Sequence, residues 1–243
     1  MFKLLIIASL FLILSLSTAK ICVSEQILNG TFERGILKPD SWSLSSGTGA
    51  WENEGYDGIH CISVIGTGAN DDSNYWKSDN YKLLPKQAYR VSFMTRVNQG
   101  ASGGTIVTGS NIANRDYSVG TQWEKRSFIF TTPNDTTNAF LRFGQWQKNG
   151  KVWFDNIEVN PVVPTYKSAN AVSLGTGERI DKGIYSFRPN FGGDNANSAR
   201  PLLSHTAGFN SDRWLINDGS EVIYRHQIAG YMQKSASVSV QSG

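Results

Sequence analysis

Two acidic residues, each placed directly after a phenylalanine, are the first candidates for chemistry. They are Glu33, near the start of the chain, and Asp155, inside an apolar stretch. A carboxylate among apolar side chains is costly to bury unless a cation or hydrogen bonds compensate its charge. If residues 27–33 lie beside residues 150–159, the two carboxylates converge, and hard oxygen ligands of this kind suit Ca²⁺. We expect a structural calcium site formed by both acids and a backbone carbonyl such as that of Thr31. The alternative is that Asp155 accepts backbone hydrogen bonds only.

Aromatic rings beside planar polar groups are the second set of candidates. Sugars stack their apolar C–H faces on such rings, and their hydroxyls bond to neighbouring polar side chains. Trp146 shares a strand face with Arg142, opposite the apolar Leu141 and Phe143. The residues that we expect to bind carbohydrate are Trp146, Trp76, Trp51, Tyr117, Arg96 and Arg142. For each of them, packing within the fold is the alternative interpretation.

A catalytic constellation is not evident. The three histidines, His60, His205 and His226, have no metal-ligand spacing, and no nucleophile elbow, zinc-protease or phosphate-loop motif occurs. Glu52 and Glu54 could imitate a glycosidase pair, but they lie two residues apart beside a turn and are expected to be solvated. The sequence therefore predicts no catalytic residue and no enzyme within this chain.

The elements that would position these side chains are strands. Aromatic residues make up 12% of the chain, charged residues 18%, and there are 24 glycines, which is typical of a β-rich protein with many turns. Tyr89, Val91, Phe93 and Val97 alternate with more polar neighbours, whereas no window has the helical period over three turns. Many short strands separated by turn residues predict a β-sandwich. The net charge of +3, without a Lys/Arg block, argues against a nucleic-acid partner.

The N-terminus is predicted to be a targeting segment. Residues 1–19 combine Lys3, an apolar run and the small residues Ser17-Thr18-Ala19, which is typical of a secretory signal peptide. The run is short for a membrane anchor, so we expect a secreted, extracellular protein without a membrane segment after cleavage. In an oxidising compartment the two cysteines, Cys22 and Cys61, form a disulfide or remain two separate thiols.

The remaining chain divides at a proline-rich stretch. Residues 20–160 are expected to form one β-sandwich, residues 161–167 a stiff linker, and residues 168–243 a second β-rich domain. Four further strands are predicted in the second unit, at residues 183–187, 214–216, 221–228 and 236–241. Because the last has no closing partner, we expect this unit to be incomplete and the natural polypeptide to continue.

The order of short motifs over about residues 25–160 resembles carbohydrate-binding modules of the CBM4/9/22 type. The motifs are Asn29-Gly30-Thr31-Phe32-Glu33, Pro39 with Trp42, Gly55-Tyr56-Asp57-Gly58, Leu84-Pro85 with Tyr89-Arg90-Val91-Ser92-Phe93, Trp123-Glu124-Lys125 and Val152-Trp153-Phe154-Asp155-Asn156-Ile157. The resemblance implies a galactose-binding-like jelly roll, a structural calcium ion at Glu33 and Asp155, and a glycan site on a sheet face or at the loops. It also implies a polysaccharide or oligosaccharide partner and an appended catalytic domain outside this chain.

The second unit has a weaker resemblance of its own. Residues 208–214 and 221–225 are similar to the start of another galactose-binding-like domain. The leading hypothesis is therefore a secreted, non-catalytic module that stacks glycan rings on exposed aromatics. A structural or adhesive surface module without glycan specificity is the alternative, which an exposed apolar patch would favour. A hydrolase would need paired acids in a cleft.

Overall fold

The computed structural model describes residues 29–135, 138–169, 172–228, 232 and 234–239. All regular elements within these ranges are strands, which confirms the all-β prediction. The predicted signal peptide and Cys22 lie outside the described residues. No helix among the described residues is long and apolar enough to cross a membrane.

The strands follow one another with short connections. In the first two thirds of the chain they are β1 (Trp42–Ser46), β2 (Thr48–Glu52), β3 (Cys61–Thr67), β4 (Ser73–Ser78), β5 (Ala88–Val97), β6 (Thr105–Ser110), β7 (Ala113–Tyr117), β8 (Glu124–Thr131), β9 (Leu141–Trp146) and β10 (Asn149–Pro161). After these come β11 (Lys167–Ala169), β12 (Val172–Leu174), β13 (Glu178–Asp181), β14 (Ile184–Phe187), β15 (Leu202–His205), β16 (Gly208–Asn210), β17 (Arg213–Leu215) and β18 (Val222–Tyr224).

Two sheets form the sandwich. A seven-stranded sheet has the order β1-β4-β9-β6-β7-β16-β17, and a five-stranded sheet has the order β2-β3-β10-β5-β8. Aromatic side chains from both sheets meet between them. The ring of Phe143 lies 5.0 Å from that of Phe93 and 5.5 Å from that of Phe154, in edge-to-face geometry. Three separate two-stranded pairs, β11-β12, β13-β14 and β15-β18, complete the described strands.

The predicted meeting of the two ends of residues 25–160 is confirmed. The backbone nitrogen of Ile157, on β10, donates a hydrogen bond of 2.8 Å to the carbonyl oxygen of Gly30. The approach requires glycine at position 30, because a Cβ there would come within 2.0 Å of the Ile157 carbonyl oxygen. The buried Asn29 side chain fixes the following loop by donating to the Arg34 and Asp40 carbonyls.

The segment after the predicted linker shares the sheet and the core of the first unit. Strand β16 pairs in parallel with β7, and β17 pairs with β16, so both extend the seven-stranded sheet. Phe209 and Ala196, 2% and 4% exposed, belong to the same apolar cluster as Phe143. The predicted linker is therefore not a boundary of the hydrophobic core. A second, galactose-binding-like domain over residues 168–243 stays a prediction.

The strand predictions fail at several places. Strand β7 was not predicted, and neither were β11, β12, β13, β15 and β16, whereas residues 236–239, part of the strand predicted at 236–241, form no strand. Strand β7 was missed because it carries Asn, Arg and Asp in place of an alternating apolar pattern. Residues 240–243 lie outside the described chain.

Candidate functional site

Residues opposite one another on neighbouring strands form rows across the outer face of the seven-stranded sheet, because directly paired residues point to the same side. In one row, Trp146 on β9 lies between Ser73 on β4 and Thr105 on β6. We call this outer side, which carries Trp146 and Arg142, the cleft face. The opposite side of β9 carries the buried Leu141 and Phe143, as the sequence predicted.

A second row brings cations and amides to the same face. Arg142 pairs with Lys77 on β4 and with Gly109 on β6. The row continues through Asn114 on β7 to the added hairpin, where its last members are Asn210 and Arg213. The row crosses six strands and carries a side-chain donor on each of them except β6, where its member is Gly109.

Between these two rows lies a cleft of about 410 Å³. Its lining residues are Ser73, Tyr75, Val107, Asn114, Asp116, Arg142, Gln145, Trp146, Asn210, Ser211 and Arg213. An aromatic rim and a polar lining are the features that a sugar site needs.

Trp146 and Arg142 are available for a ligand. The Trp146 side chain is 50% exposed although Trp is rarely so open on a regular strand. The Nε of Arg142 is buried and has no hydrogen-bond partner among the described residues. A buried donor without a partner is unfavourable, so the Arg142 guanidinium keeps donor capacity that no described residue uses. The position of both residues on one open face agrees with the prediction, whereas their binding of sugar stays a prediction.

Two of the predicted binding residues are packing residues of the same sheet. Trp76 is only 4% exposed, and its Nε1 donates a 2.9 Å hydrogen bond to the Ser63 carbonyl. Tyr117 stacks edge to face on Phe93 at 5.5 Å, and burial raises the pKa of its hydroxyl. The prediction is wrong for both, because their strand positions point toward the core.

The remaining two lie on the five-stranded sheet, away from the cleft. Trp51 stacks on His60 at 4.4 Å, and its Nε1 donates to the Phe32 carbonyl. Arg96 forms an ion pair of 2.6 Å with Glu54 and lies over the Trp153 ring. The prediction that they share a site with Trp146 is wrong, because strands β2 and β5 belong to the other sheet.

The two acids of the expected calcium site lie where the segment before β1 meets β10. Asp155 is fully buried and accepts hydrogen bonds from the backbone nitrogens of Asn156 (2.7 Å), Tyr56 (2.7 Å) and Asp57 (3.4 Å). Glu33 accepts from the next part of the same loop, from the backbone nitrogens of Ile59 at 2.9 Å and His60 at 2.7 Å. The loop at residues 55–60 thus holds both carboxylates.

Burial and, to a smaller extent, the charge of Glu33 raise the pKa of Asp155 to about 6, against the lowering effect of the backbone hydrogen bonds. A cation would relieve this cost. Oδ2 of Asp155 accepts two hydrogen bonds but Oδ1 only one, and Oε2 of Glu33 has only a long 3.4 Å contact with His60. Each acid therefore keeps one oxygen with spare acceptor capacity, so the donor set fits a hard cation. Thr31 is exposed and lies between the two anchoring residues, Gly30 and Phe32.

Other candidate groups are satisfied internally. Glu52 accepts a hydrogen bond from Ser63 at 2.7 Å and forms an ion pair with Lys151, and burial opposes but does not outweigh these contacts, which lower its pKa. His205 is buried, with its ring nitrogens 2.8 Å and 2.9 Å from the carbonyl oxygens of Ala207 and Thr131. No group of three or more His, Cys, Asp or Glu side chains among the described residues could hold a metal ion.

Cys61 is buried, and burial raises the pKa of its thiol to about 12. Because Cys22 is not among the described residues, the disulfide stays a prediction.

Several cleft residues were not predicted from the sequence. Asp116 and Asn114 lie on β7, whose polar sequence gave no strand signal, and Asn210, Ser211 and Arg213 come from the unit assigned to a second domain. The hairpin residues could have been predicted, because Phe209 and Trp214 flank a polar turn, a pattern that is typical of a hairpin with one buried face.

The sequence matches no family model, and no curated protein matches it. The solved structures that resemble the chain include carbohydrate-binding modules, as the motif order predicted.

One is the CBM22-1 xylan-binding domain from Paenibacillus barcinonensis Xyn10C, which is 12% identical with a TM-score of 0.46, and the match covers 58% of this chain and 97% of that one. A CBM4 module is 18% identical with a TM-score of 0.43, and the match covers 56% of this chain and 99% of the module. The enzymatically active domain of bacteriophage CBA120 tailspike protein 4 is 12% identical with a TM-score of 0.44. The match covers 55% of this chain but only 21% of the tailspike. At these identities and scores the functional argument depends on the geometry of this chain.

Proposed function

We propose that this chain is a secreted, non-catalytic carbohydrate-binding module whose ligand lies in the cleft on the seven-stranded sheet. The observation that carries the proposal is the half-exposed Trp146 ring at the edge of a polar cleft that also contains the unpartnered Arg142 Nε. A polar-edged cleft with an aromatic rim favours a glycan over the adhesive alternative, which needs an apolar docking patch.

In this arrangement the Trp146 ring takes the apolar face of one sugar. Arg142 donates to its hydroxyl or ring oxygens, and Asp116 accepts from hydroxyl groups. Stacking contributes on the order of 1 kcal/mol per ring beyond the burial of area. Since only one large ring is half-exposed in the cleft, affinity for a single sugar is weak and depends on the neighbouring hydrogen bonds.

We further propose that Glu33 and Asp155 hold a structural Ca²⁺ through their remaining acceptor oxygens, with the Thr31 carbonyl as a third ligand. When bound, the ion supplies positive charge to two carboxylates whose hydrogen bonds come mainly from backbone N–H groups, with a 3.4 Å contact from His60 to Glu33 besides. It stabilises the junction between the start of the chain and β10, and it takes no part in sugar binding.

The export of the chain is proposed from its first 19 residues, and a catalytic domain on the same natural polypeptide from the family resemblance. Expression with the native leader, followed by N-terminal sequencing of the exported protein, tests the first point. A mature chain that begins at Lys20 supports it, and retention of residues 1–19 contradicts it.

Affinity electrophoresis against soluble glucans, xylans and mannans tests the glycan proposal. We expect at least one glycan to retard the protein and Trp146→Ala to abolish most of that retardation. Tyr56→Ala is the matched control, because Tyr56 is equally exposed, at 50%, but is not a cleft residue. The proposal fails if no glycan retards the protein, or if the two variants behave alike.

A further inference from the structure

The hairpin of β16 and β17 is built into the sheet that carries the cleft. Phe209 pairs with Ala113 and Asn210 with Asn114 in a parallel register. The backbone nitrogen of Phe209 donates to the Ile112 carbonyl at 3.1 Å, and that of Ser211 donates to the Asn114 carbonyl at 3.0 Å. The hairpin therefore continues the cleft face by two strands.

Aromatic packing on the inner side fixes the hairpin in place. Phe209 is 2% exposed, and its ring lies 5.4 Å from Trp214 and 5.6 Å from Phe191 in edge-to-face geometry. Side chains that alternate with these buried rings must point outward, toward the cleft. Asn210 and Arg213 occupy those outward positions and line the cleft.

Between Arg142 and the hairpin the row holds Gly109 and Asn114. Gly109 has a positive φ of 126°, and a Cβ there would come within 2.6 Å of the Ala113 carbonyl oxygen and 2.8 Å of the buried Phe128 ring, so the packing of this strand requires glycine. Asn114 lines the cleft beside the hairpin, and its Oδ1 lies 3.3 Å from the backbone nitrogen of Ser211, which donates to it. The polar lining of the cleft is therefore continuous from β7 to the hairpin.

The strands that carry Trp146 and Arg213 are separated by four strand-to-strand steps, from β9 through β6, β7 and β16 to β17. At about 4.8 Å per step this is roughly 19 Å, longer than one sugar ring and long enough for a short oligosaccharide. The donors at the far end are the Asn210 amide and the Arg213 guanidinium, which suit hydroxyl and ring oxygens. Nη1 of Arg213 forms an exposed ion pair of 3.1 Å with Asp212, and an exposed pair of this kind contributes little, so the guanidinium can still donate to a ligand.

We propose, given that the cleft binds glycans at all, that the β16–β17 hairpin forms a second sugar subsite and that the ligand is an oligosaccharide lying across the strands from Trp146 to Arg213. The hairpin thereby makes the module selective for chain length. It also makes the segment after residue 168 a part of the binding site.

The test uses the full chain and measures dissociation constants by calorimetry for disaccharides through hexasaccharides of the xylan, glucan and mannan series. We expect Asn210→Ala combined with Arg213→Ala to weaken hexasaccharide binding about tenfold, since two polar contacts are lost, and to leave disaccharide binding unchanged. Arg225→Ala is the matched control, because Arg225 is exposed, carries the same charge and lies outside the cleft.

Trp146→Ala separates the two proposals, because it should weaken binding at every chain length. If Trp146→Ala weakens binding but the hairpin variant leaves the dependence on chain length intact, the second subsite is wrong and the glycan site stands. An equal loss for short and long ligands in the hairpin variant also overturns the subsite. If neither variant changes binding, the glycan site itself is wrong.

Discussion

Trp153 and Trp146 both lie on outer faces of the sandwich, yet their surroundings differ. Trp153 is 7% exposed, because the Arg96 guanidinium lies 4.4 Å and the Lys151 ammonium 4.8 Å from its ring. These cations are in turn paired with Glu54 at 2.6 Å and Glu52 at 2.5 Å. We call this outer side of the five-stranded sheet the closed face.

The cleft face carries the same residue types without the same partners. Trp146 is half-exposed, and Arg142 forms no ion pair with a described carboxylate. On the closed face each cation has both a ring and an acid, so its charge is paired within the protein, although Arg96 Nε and Trp153 Nε1 have no hydrogen-bond partner among the described residues. The difference shows that a tryptophan beside an arginine does not identify a ligand site. The informative features are the exposure of the Trp146 ring and the absence of an ion pair for Arg142 among the described residues.

The largest expected effect is on stability when the covered tryptophan is removed. Trp153→Ala should lower the free energy of unfolding by about 3 kcal/mol, because a nearly buried ring and its two cation–π contacts are lost. Trp146→Ala should cost less than about 1 kcal/mol, since half of its side chain is already in water. Urea denaturation of both variants measures the difference. Equal losses would mean that the two faces are not distinct in the way described.

How far the sequence predicts these faces depends on whether the information is local. Alternation along one strand is local, and it correctly separated Arg142 and Trp146 from Leu141 and Phe143. The sheet to which a strand belongs depends on pairings far along the chain. Arg96 was therefore assigned to the wrong side of the sandwich although its outward direction was correct.

Adjacent aromatic residues show a second limit of prediction from the sequence. Tyr75 and Trp76 must point to opposite sides of β4, but period two alone does not say which of them faces the core. The pairing of Trp76 with Phe143 settles it, and Tyr75 is the residue in the cleft. The meeting of the two acid-bearing segments was predictable, because both carry an aromatic residue followed by an acid and lie at the two ends of one β-unit.

Calcium should stabilise the junction between the start of the chain and β10, and it should leave glycan binding in the cleft unchanged. At a hundredfold excess over its dissociation constant, one bound ion adds about 2.7 kcal/mol to the free energy of unfolding. We expect EDTA to lower the melting temperature by several degrees, Asp155→Asn to remove that response, and glycan affinity to stay the same. A melting temperature that is independent of EDTA would rule out the ion.

The pH dependence of the folding stability tests the same site. Because the pKa of Asp155 is about 6 in the folded protein and 3.8 is its ordinary value, the folded state binds a proton between these pH values that the unfolded state does not. The stability of the metal-free protein should therefore fall as pH rises through 6. Stabilisation by calcium should be largest above pH 6 and shrink below it, where protons compete for the carboxylate. Thermal melts in EDTA and in calcium at several pH values measure both trends.

The smallest effects should come from the two arginines, and their directions should differ. Arg96→Gln should destabilise the protein by about 1 kcal/mol, because it removes a half-exposed ion pair with Glu54 and the contact with the Trp153 ring. Arg142→Gln should leave the free energy of unfolding within about 0.5 kcal/mol of wild type, since it removes a donor that has no internal partner. In glycan binding the order should reverse, with Arg142→Gln weaker than wild type and Arg96→Gln unchanged. If instead Arg96→Gln weakens glycan binding, the closed face contributes to recognition and the division between the two faces is wrong.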